Sequence, residues 1–352
     1  MNERDWLAGI SRLDRADMYD KILKFPSMIE DSLRISSEAS MPVAKTPNGV
    51  VFCGMGGSAM GPDLVKSWLS EEASAPLEVV RDYKLPGFVS SNTLVCVVSY
   101  SGNTEESVSC LRDAIERGAK LVTISSGGEI ERMSSDSNIS HVKVPTGLFP
   151  RSALPYLLVP LVKLLEVNGV ITQHRMSELE LSIAPIKRVI DSVRVEVPIE
   201  ENEAKSLAEG LHGGFPVIYG HGVLGAVALR FRQQLNENAK TLASSNVFPE
   251  LDHNELEATW SATRGKRIVV LLRSRFESEA MRSRIDASKE ILESNGQIVL
   301  EVGAEADSLI SEALSLVAKL DMASLYLALL NEVNPSATPR INALKEKLGS
   351  KI

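Results

Sequence analysis

The sequence predicts an α/β protein with two related halves, each built on a parallel, doubly wound sheet. Short apolar runs alternate with helical segments, an alternation typical of strands joined by crossover helices. A strand that stops at a glycine turn occurs twice, as Val51-Phe-Cys-Gly54-Met-Gly56 and, 166 positions later, as Val217-Ile-Tyr-Gly220-His-Gly222. A pattern repeated at such a distance indicates a duplicated supersecondary unit.

The first half contains four strand candidates and the helices that connect them. Apolar runs that end at glycine, proline or polar residues predict the strands. The predicted strands span 50–53, 77–81, 93–99 and 120–124, and helices are predicted over 62–70 and 105–118. The second half repeats this arrangement with strands over 266–272 and 297–302 and a helix over 277–294.

The two halves differ in the loop that ends the strand predicted over 93–99 in the first half and follows the strand predicted over 266–272 in the second half. The first half has Ser99-Tyr-Ser101-Gly-Asn-Thr104, which we name the hydroxyl loop. The second half has Arg273-Ser-Arg275-Phe276 at that place, which we name the arginine loop. The difference indicates that only the first half keeps an anion-binding loop.

We divide the chain into four segments. Residues 1–170 form an N-terminal helix and the first α/β domain, 171–205 a helical connector, 206–303 the second α/β domain, and 304–352 a C-terminal helical tail. Residues 1–40 are expected to form an amphipathic helix. An apolar helix is expected over 150–166, kinked or broken by Pro155 and Pro160.

Composition limits the class of function. The chain has 352 residues, a net charge of −8 and a pI of about 5.4, which argues against nucleic acid as a partner. Three cysteines without C-x-x-C spacing, and a charged N-terminus, favour a reduced, cytoplasmic protein with no membrane association. Five histidines without metal-ligand spacing predict neither a metal site nor a cofactor bound through one.

The glycine turn after the first strand admits three hypotheses. Gly54-Met-Gly56-Gly57-Ser58-Ala59 satisfies G-x-G-x-x-A, and Asp82 lies where a dinucleotide site needs an acidic residue. A second hypothesis is a tight turn without a ligand. A third is a turn whose N–H groups and Ser58 hydroxyl face a small phosphate ester. The turn alone leaves these open.

The hydroxyl loop favours the phosphate hypothesis. Its three hydroxyls precede a helix N-terminus, whose free N–H groups and dipole attract an anion without any lysine. The alternative is helix capping, with Asn103 as N-cap and Glu106 completing a capping box. Capping needs one such residue, whereas this loop has Ser99, Ser101 and Thr104.

Three further residues are candidates for proton transfer or charge stabilisation. Arg151, before an apolar helix, suits a developing oxyanion if it faces a cleft, and a surface arginine is the alternative. Glu237, between two asparagines, suits a general base, and a solvated helix end is the alternative. His253 lies in a polar loop, where proton transfer competes with a structural role.

Together these motifs resemble the bifunctional phosphoglucose/phosphomannose isomerases of the sugar isomerase (SIS) superfamily. The resemblance runs nearly end to end, through the glycine turn, the hydroxyl loop, residues 150–154, 236–240 and 249–255, and the C-terminal Thr338-Pro339. It implies two flavodoxin-like, parallel-sheet SIS subdomains in tandem, with N- and C-terminal helical extensions. It also implies a metal-free, cofactor-free aldose–ketose isomerase that converts glucose 6-phosphate and mannose 6-phosphate to fructose 6-phosphate.

The resemblance implies a role for each matching residue. Ser99, Ser101 and Thr104 would bind the sugar phosphate, and Gly57 and Ser58 would lie along the sugar.

The resemblance also supplies the reacting groups. Arg151 would stabilise the enediolate, and Glu237 would move the proton between carbons 1 and 2. His253 would assist ring opening from the neighbouring subunit of a homodimer. Lys345, chosen over Lys347 from its spacing to Thr338, would act at the ring-opening end, and Thr338 would admit the mannose epimer.

Two other classes of function compete with the isomerase. A non-catalytic sugar-phosphate sensor would use the same fold, and an oxidoreductase would rest on the glycine turn alone. An isomerase of another sugar phosphate is a further alternative, because a shared fold does not fix the substrate.

Overall fold

A computed structural model describes residues 3–44, 47–172, 174–258 and 265–349. The nine strands of these residues are β1 Val50–Cys53, β2 Leu77–Val80, β3 Leu94–Val98, β4 Lys120–Ser125, β5 Ser140–Lys143, β6 Gly214–His221, β7 Ser244–Phe248, β8 Lys266–Leu272 and β9 Ile298–Val302. The helices are α1 Glu3–Leu13, α2 Met18–Leu23, α3 Phe25–Glu38, α4 Met60–Leu69, α5 Glu105–Glu116, α6 Gly128–Asp136, α7 Leu154–Val167, α8 Arg175–Leu181, α9 Ile183–Ser192, α10 Glu203–Leu211, α11 Val223–Glu237, α12 Glu279–Ser294, α13 Leu309–Leu330 and α14 Pro339–Lys347.

The chain folds into two compact units, each formed from two segments. The first unit comprises Phe25–Ile183 and the segment that begins at Pro339. The second unit comprises the residues up to Lys24 together with Ala184–Thr338. These two units are defined by which residues pack together. The domain boundaries predicted from the sequence, at 170, 205 and 303, divide the chain by position instead, and they stay a prediction.

The first unit contains a five-stranded parallel sheet in the order β2-β1-β3-β4-β5. Its central strands β1 and β3 are buried along their whole length, as expected for a sheet covered on both faces. In their register Val50 lies opposite Leu94 and Cys53 opposite Val97. The predicted doubly wound sheet is therefore confirmed.

The second unit repeats this topology with one strand fewer. Its parallel sheet has the order β7-β6-β8-β9, so β6 lies between two strands as β1 does. In both sheets the first strand in the sequence pairs with the next two strands on opposite sides. The duplication expected from the repeat at Val51 and Val217 is thus present in the sheets.

The predicted helices over 1–40 and 150–166 required correction. The N-terminal segment forms three helices, because the chain turns at Asp17, whose φ is 55°, and again at Lys24. Near 150, a single turn of 3-10 helix over Pro150–Ser152 precedes α7. Pro155 lies in the first turn of α7, where it costs no hydrogen bond, and Pro160 lies inside a helix that continues past it.

Helix α13 is the interior helix of the second unit. It is long and apolar enough to cross a membrane by length and composition, but 94% of its apolar window is buried inside the protein. Helices α10 and α11 pack against it. A helix that is apolar on all sides is typical of a protein core, and the segment after 304 therefore begins with a core helix.

Candidate active site

The glycine turn and the hydroxyl loop begin at neighbouring strand ends. Strands β1 and β3 are adjacent, and β1 leads to Gly54 while β3 leads to Ser99. The chain winds in opposite directions from these two strands. In doubly wound sheets a ligand crevice opens at this switch point, outside the carboxyl ends of the strands.

The hydroxyl loop is a compact turn held by its own side chains. The Ser99 and Thr104 hydroxyl oxygens lie 2.9 Å apart. The Gly102 N–H donates to the Ser99 carbonyl at 3.0 Å, and the Asn103 N–H donates to the Ser101 hydroxyl at 3.2 Å. Gly102 has a φ of +70°, and a Cβ there would lie 1.8 Å from the Gly127 carbonyl oxygen, so this position needs glycine.

The capping box that was the alternative for this loop, with Asn103 as N-cap and Glu106, does not form. The N-cap of α5 is Thr104, and its side chain makes no capping hydrogen bond. The Asn103 side-chain oxygen instead accepts from the Glu129 N–H at 3.0 Å. The first-turn N–H groups of α5 have no partner within the helix, which leaves the helix end suited to an anion.

One backbone N–H group in this loop is available to donate a hydrogen bond to a ligand. The Ser101 N–H has no hydrogen-bond partner within the described part of the chain. The side chains of Ser101 and Thr104 are half-buried, while Ser99 is fully buried behind them. Glu105 is exposed, and the negative charges of Glu106 and Glu105 raise the pKa of the nearby Tyr83 phenol.

The glycine turn packs directly against the residues around Arg151. Gly57 lies in a 3-10 turn, and a Cβ at this position would lie 2.8 Å from the Arg151 backbone nitrogen. Arg151 is 6% exposed, and its guanidinium carbon lies 4.9 Å from the centre of the Phe149 ring. Only glycine at 57 allows this approach, so Gly57 fixes where Arg151 lies.

Tyr100, which the sequence analysis did not single out, connects three loops of the first unit. Its N–H donates to the Ser58 hydroxyl at 3.0 Å, and its carbonyl accepts from the Ser126 N–H at 2.9 Å. Its phenol donates to the Pro145 carbonyl at 2.9 Å and accepts from the Leu148 N–H at 2.8 Å.

The phenol of Tyr100 is neutral, since burial raises its pKa. Its hydrogen bonds therefore tie the hydroxyl loop to the segment that leads to Arg151. In the sequence, Tyr100 is marked only by its position between Ser99 and Ser101. Its phenol contacts residues more than forty positions away, and such contacts leave no local sequence pattern.

Glu237 is the last residue of α11 in the second unit. It is half-buried, and the Lys240 ammonium donates to its carbonyl oxygen. The neighbouring Asn238 is fully buried and donates to the Ser324 hydroxyl of α13 at 2.9 Å. One turn earlier, Gln234 donates to Asp321 at 2.8 Å.

The same face of α11 carries a buried ion pair between Arg230 and Asp321. Buried polar groups are costly unless paired, so this row of contacts fixes α11 against α13. The orientation of the helix end that bears Glu237 follows from it.

His253 is exposed on a firmly held loop of the second unit. It ends a 3-10 turn that begins at Glu250. Leu251 is fully buried, and Asp252 accepts from the Ser288 hydroxyl at 2.8 Å. Glu255 accepts from the Tyr219 phenol at 2.8 Å. The imidazole is thus presented outward from a rigid support.

Thr338 and Lys345 lie at the end of the described chain. Thr338 is half-buried and precedes Pro339, the first residue of α14. Lys345 and Lys347 are both exposed on α14, a helix without buried residues, so the choice between them stays a prediction.

The predicted site residues fall into two groups. The first unit brings together Gly57, Ser58, Ser99, Ser101, Thr104 and Arg151 around the ends of β1 and β3, and it includes α14 with Lys345. The second unit contains Glu237, His253 and Thr338.

This fold and its loop define a tandem α/β protein of the sugar isomerase (SIS) class. A family model described as the bacterial phospho-glucose isomerase C-terminal SIS domain matches residues 200–348. A bifunctional phosphoglucose/phosphomannose isomerase of Caldicellulosiruptor bescii is 34% identical over 335 residues, 94% of this chain and 98% of the relative. One of Aquifex aeolicus is 33% identical, covering 85% of this chain and 90% of the relative. The chain belongs to the bifunctional phosphoglucose/phosphomannose isomerase family.

A solved structure supports the fold. The C-terminal domain of glucosamine-fructose-6-phosphate aminotransferase from Francisella tularensis superposes with a TM-score of 0.69 at 16% identity. The match covers 89% of this chain and 96% of that one. At this identity the likeness concerns the fold alone.

Tyr100→Phe tests the connection between the loops. The phenol contacts at 145 and 148 disappear while the backbone hydrogen bonds remain, so the hydroxyl loop loses one of its supports. We expect inorganic phosphate to bind about fivefold more weakly, measured by isothermal titration calorimetry, since a lost hydrogen bond costs about 1 kcal/mol.

Tyr19→Phe is the matched control, because it removes a phenol that accepts from the Val195 N–H in the second unit. Its phosphate affinity should equal that of the wild type. Unchanged affinity in Tyr100→Phe would show that the phenol does not support the loop.

Proposed function

We propose that the chain interconverts glucose 6-phosphate and mannose 6-phosphate with fructose 6-phosphate through an enediol intermediate. The observation that carries this proposal is the hydroxyl loop, whose Ser101 N–H is unpartnered within the described residues, in a member of this isomerase family. The chain is an isomerase of the aldose–ketose type by its relatives. The residues that perform each step are our assignment.

The phosphate binds at the hydroxyl loop through neutral donors. Ser101 supplies a hydroxyl and an N–H, Thr104 a hydroxyl, and Ser99 holds the Thr104 hydroxyl at 2.9 Å. The N-terminus of α5 adds partial positive charge. Local donors of this kind bind an anion although the chain carries a net charge of −8. Gly57 and Ser58 lie along the sugar.

Arg151 stabilises the negative charge that develops on the enediolate oxygen. Its guanidinium stays protonated at any physiological pH, and its burial against Phe149 keeps it away from bulk water. A fixed charge in a site from which water is excluded stabilises a developing anion more strongly than one in solvent.

Glu237 transfers the proton between the two carbons. Its carboxylate removes the proton from carbon 2 of the aldose, and the C–H electron pair forms the enediolate double bond. The hydroxyl proton passes from the oxygen on carbon 2 to the oxygen on carbon 1, and the same carboxylate returns the first proton to carbon 1 as the carbon 2 carbonyl forms, which gives the ketose. If the enediolate is protonated at carbon 2 from either face, glucose and mannose epimers both form.

Ring opening precedes the proton transfer. His253 and Lys345 assist it, and Thr338 leaves room for the mannose epimer. We infer a homodimer in which His253 reaches the active site of the partner, because an exposed imidazole on a rigid loop suits that role. We place the enzyme in the cytoplasm, where its substrates are sugar 6-phosphates, and expect no nucleic acid or membrane partner.

A proton NMR time course with fructose 6-phosphate in heavy water tests the reaction. We expect glucose 6-phosphate and mannose 6-phosphate to appear with deuterium at carbon 2, at rates that EDTA does not change. Formation of the glucose epimer alone would contradict the role of Thr338. Tight binding without any product would identify a sugar-phosphate sensor instead.

Glu237→Gln tests the base. The amide keeps the size of the side chain but cannot accept the proton, so turnover should fall by about 100-fold or more while sugar-phosphate affinity stays unchanged. The same NMR assay and calorimetry provide both values. Glu257→Gln, an exposed residue of the same unit, should keep full activity. Near-full activity of Glu237→Gln would contradict its role.

Mixing two inactive variants tests the shared site. Glu237→Gln and His253→Ala homodimers each lack one group in every site, but a mixed dimer contains one complete site. Random exchange of subunits should restore about a quarter of the wild-type activity. Mixtures that stay inactive after subunit exchange, verified by mass spectrometry, would show that Glu237 and His253 act from one chain.

A further inference from the structure

The arginine loop of the second unit has the same place in its sheet as the hydroxyl loop. The Ser99 N–H donates to the Ile124 carbonyl of β4 at 3.0 Å. The Arg273 N–H donates to the Val302 carbonyl of β9 at 2.9 Å. Both loops therefore leave the strand next to the switch point and are fixed by the same first hydrogen bond.

Counting from that bond makes Arg275 the equivalent of Ser101. The Ser101 N–H has no partner among the described residues, whereas the Arg275 N–H donates to the Glu312 carboxylate at 3.0 Å. The Ser274 hydroxyl donates to the other oxygen of the same carboxylate. A carboxylate of the protein thus occupies the place at which the first unit offers a free backbone donor.

The remaining backbone N–H groups of the arginine loop also donate hydrogen bonds within the protein. The Ser274 N–H donates to Glu277 at 2.8 Å, and the Phe276 N–H donates to the Ser274 hydroxyl at 3.1 Å. The Arg273 guanidinium holds Glu277 at 3.1 Å. No backbone N–H of this loop from 274 to 276 is left for an external anion.

Glu312 enters the loop from the first turn of α13 and is 1% exposed. Burial raises the pKa of its carboxyl group, while the hydrogen bonds from Ser274 and Arg275 favour the ionised form. A buried carboxylate is tolerated only where donors of this kind compensate its lost hydration.

A cavity of about 1370 Å³ adjoins this loop within the second unit. Its cationic lining residues are Arg273, Arg275, Arg282 and Lys319, and the other polar lining residues are Glu312, several further glutamates and two serines. The cavity gives a small oxyanion a path to the loop. The glutamates leave its lining without an excess of positive charge, so the N–H and hydroxyl donors of the loop are what would hold an anion there.

We propose that Glu312 is an internal anion that fills a second copy of the phosphate site, and that its removal opens this copy to inorganic phosphate. The first site in this comparison rests on the proposed function of the hydroxyl loop. In the native protein each chain then binds sugar phosphate once, at the hydroxyl loop. The second unit keeps the shape of the site without its binding function.

The test measures inorganic phosphate binding by calorimetry in Glu312→Ala and Glu312→Ser. We expect one phosphate per chain in the wild type and two in either variant. In a Ser101→Ala background, which weakens phosphate binding at the hydroxyl loop by removing one hydroxyl donor, Glu312→Ala should raise the phosphate association constant by about tenfold or more, as expected when two orphaned donors regain a partner. Glu305→Ala removes an exposed charge of the same cavity and should add no site.

A folded Glu312→Ala or Glu312→Ser protein that binds only one phosphate would overturn the proposal. If both variants fold only in the presence of phosphate, as followed by circular dichroism, the anion replaces the carboxylate and the proposal holds. If both stay unfolded even in phosphate, the loop does not accept it and the proposal fails. Full phosphate binding by Ser101→Ala alone would instead contradict the proposed function.

Discussion

The hydrogen bonds of Tyr100 are the constraint on which the first unit's site depends. The residue lies one position beyond Ser99, and its backbone and phenol contact the segments at Ser58, Ser126 and 145–148. These segments follow different strands, and only the order of β1, β3, β4 and β5 in the sheet brings them within reach. Sheet order therefore determines which loops meet, and Tyr100 determines how they are held.

The equivalent loop position has a different role in each half of the duplicated fold. In the first unit the position offers a free N–H next to hydroxyls, and a buried arginine, Arg151, precedes the apolar helix that follows the sheet. In the second unit a buried glutamate, Glu312, lies in the first turn of such a helix and bonds to the loop. The helix of the first unit is preceded by a positive charge, and the loop beside it has a free N–H group. The helix of the second unit begins with a negative charge, and that carboxylate already accepts from the loop.

Strands with strong local signals were predictable, and elements defined by packing were not. Strands β1 and β3 are apolar throughout, and β8 is apolar from Ile268 onward, so the sequence predicts them directly. Strands β5 and β7, Ser-His-Val-Lys and Ser-Ser-Asn-Val-Phe, are edge strands whose polar residues leave no apolar run. The hydroxyl loop was visible as a motif, but the Tyr100 phenol contacts and the α11–α13 network join residues far apart in the chain.

A crystal structure of the enzyme with fructose 6-phosphate tests the assignment of the phosphate site most directly. We expect one phosphate per chain, within hydrogen-bond distance of the Ser101 N–H and the Ser101 and Thr104 hydroxyls, with Glu312 still bound to Arg275. A phosphate bound instead at the arginine loop of the second unit, or in both units with Glu312 displaced, would contradict this assignment.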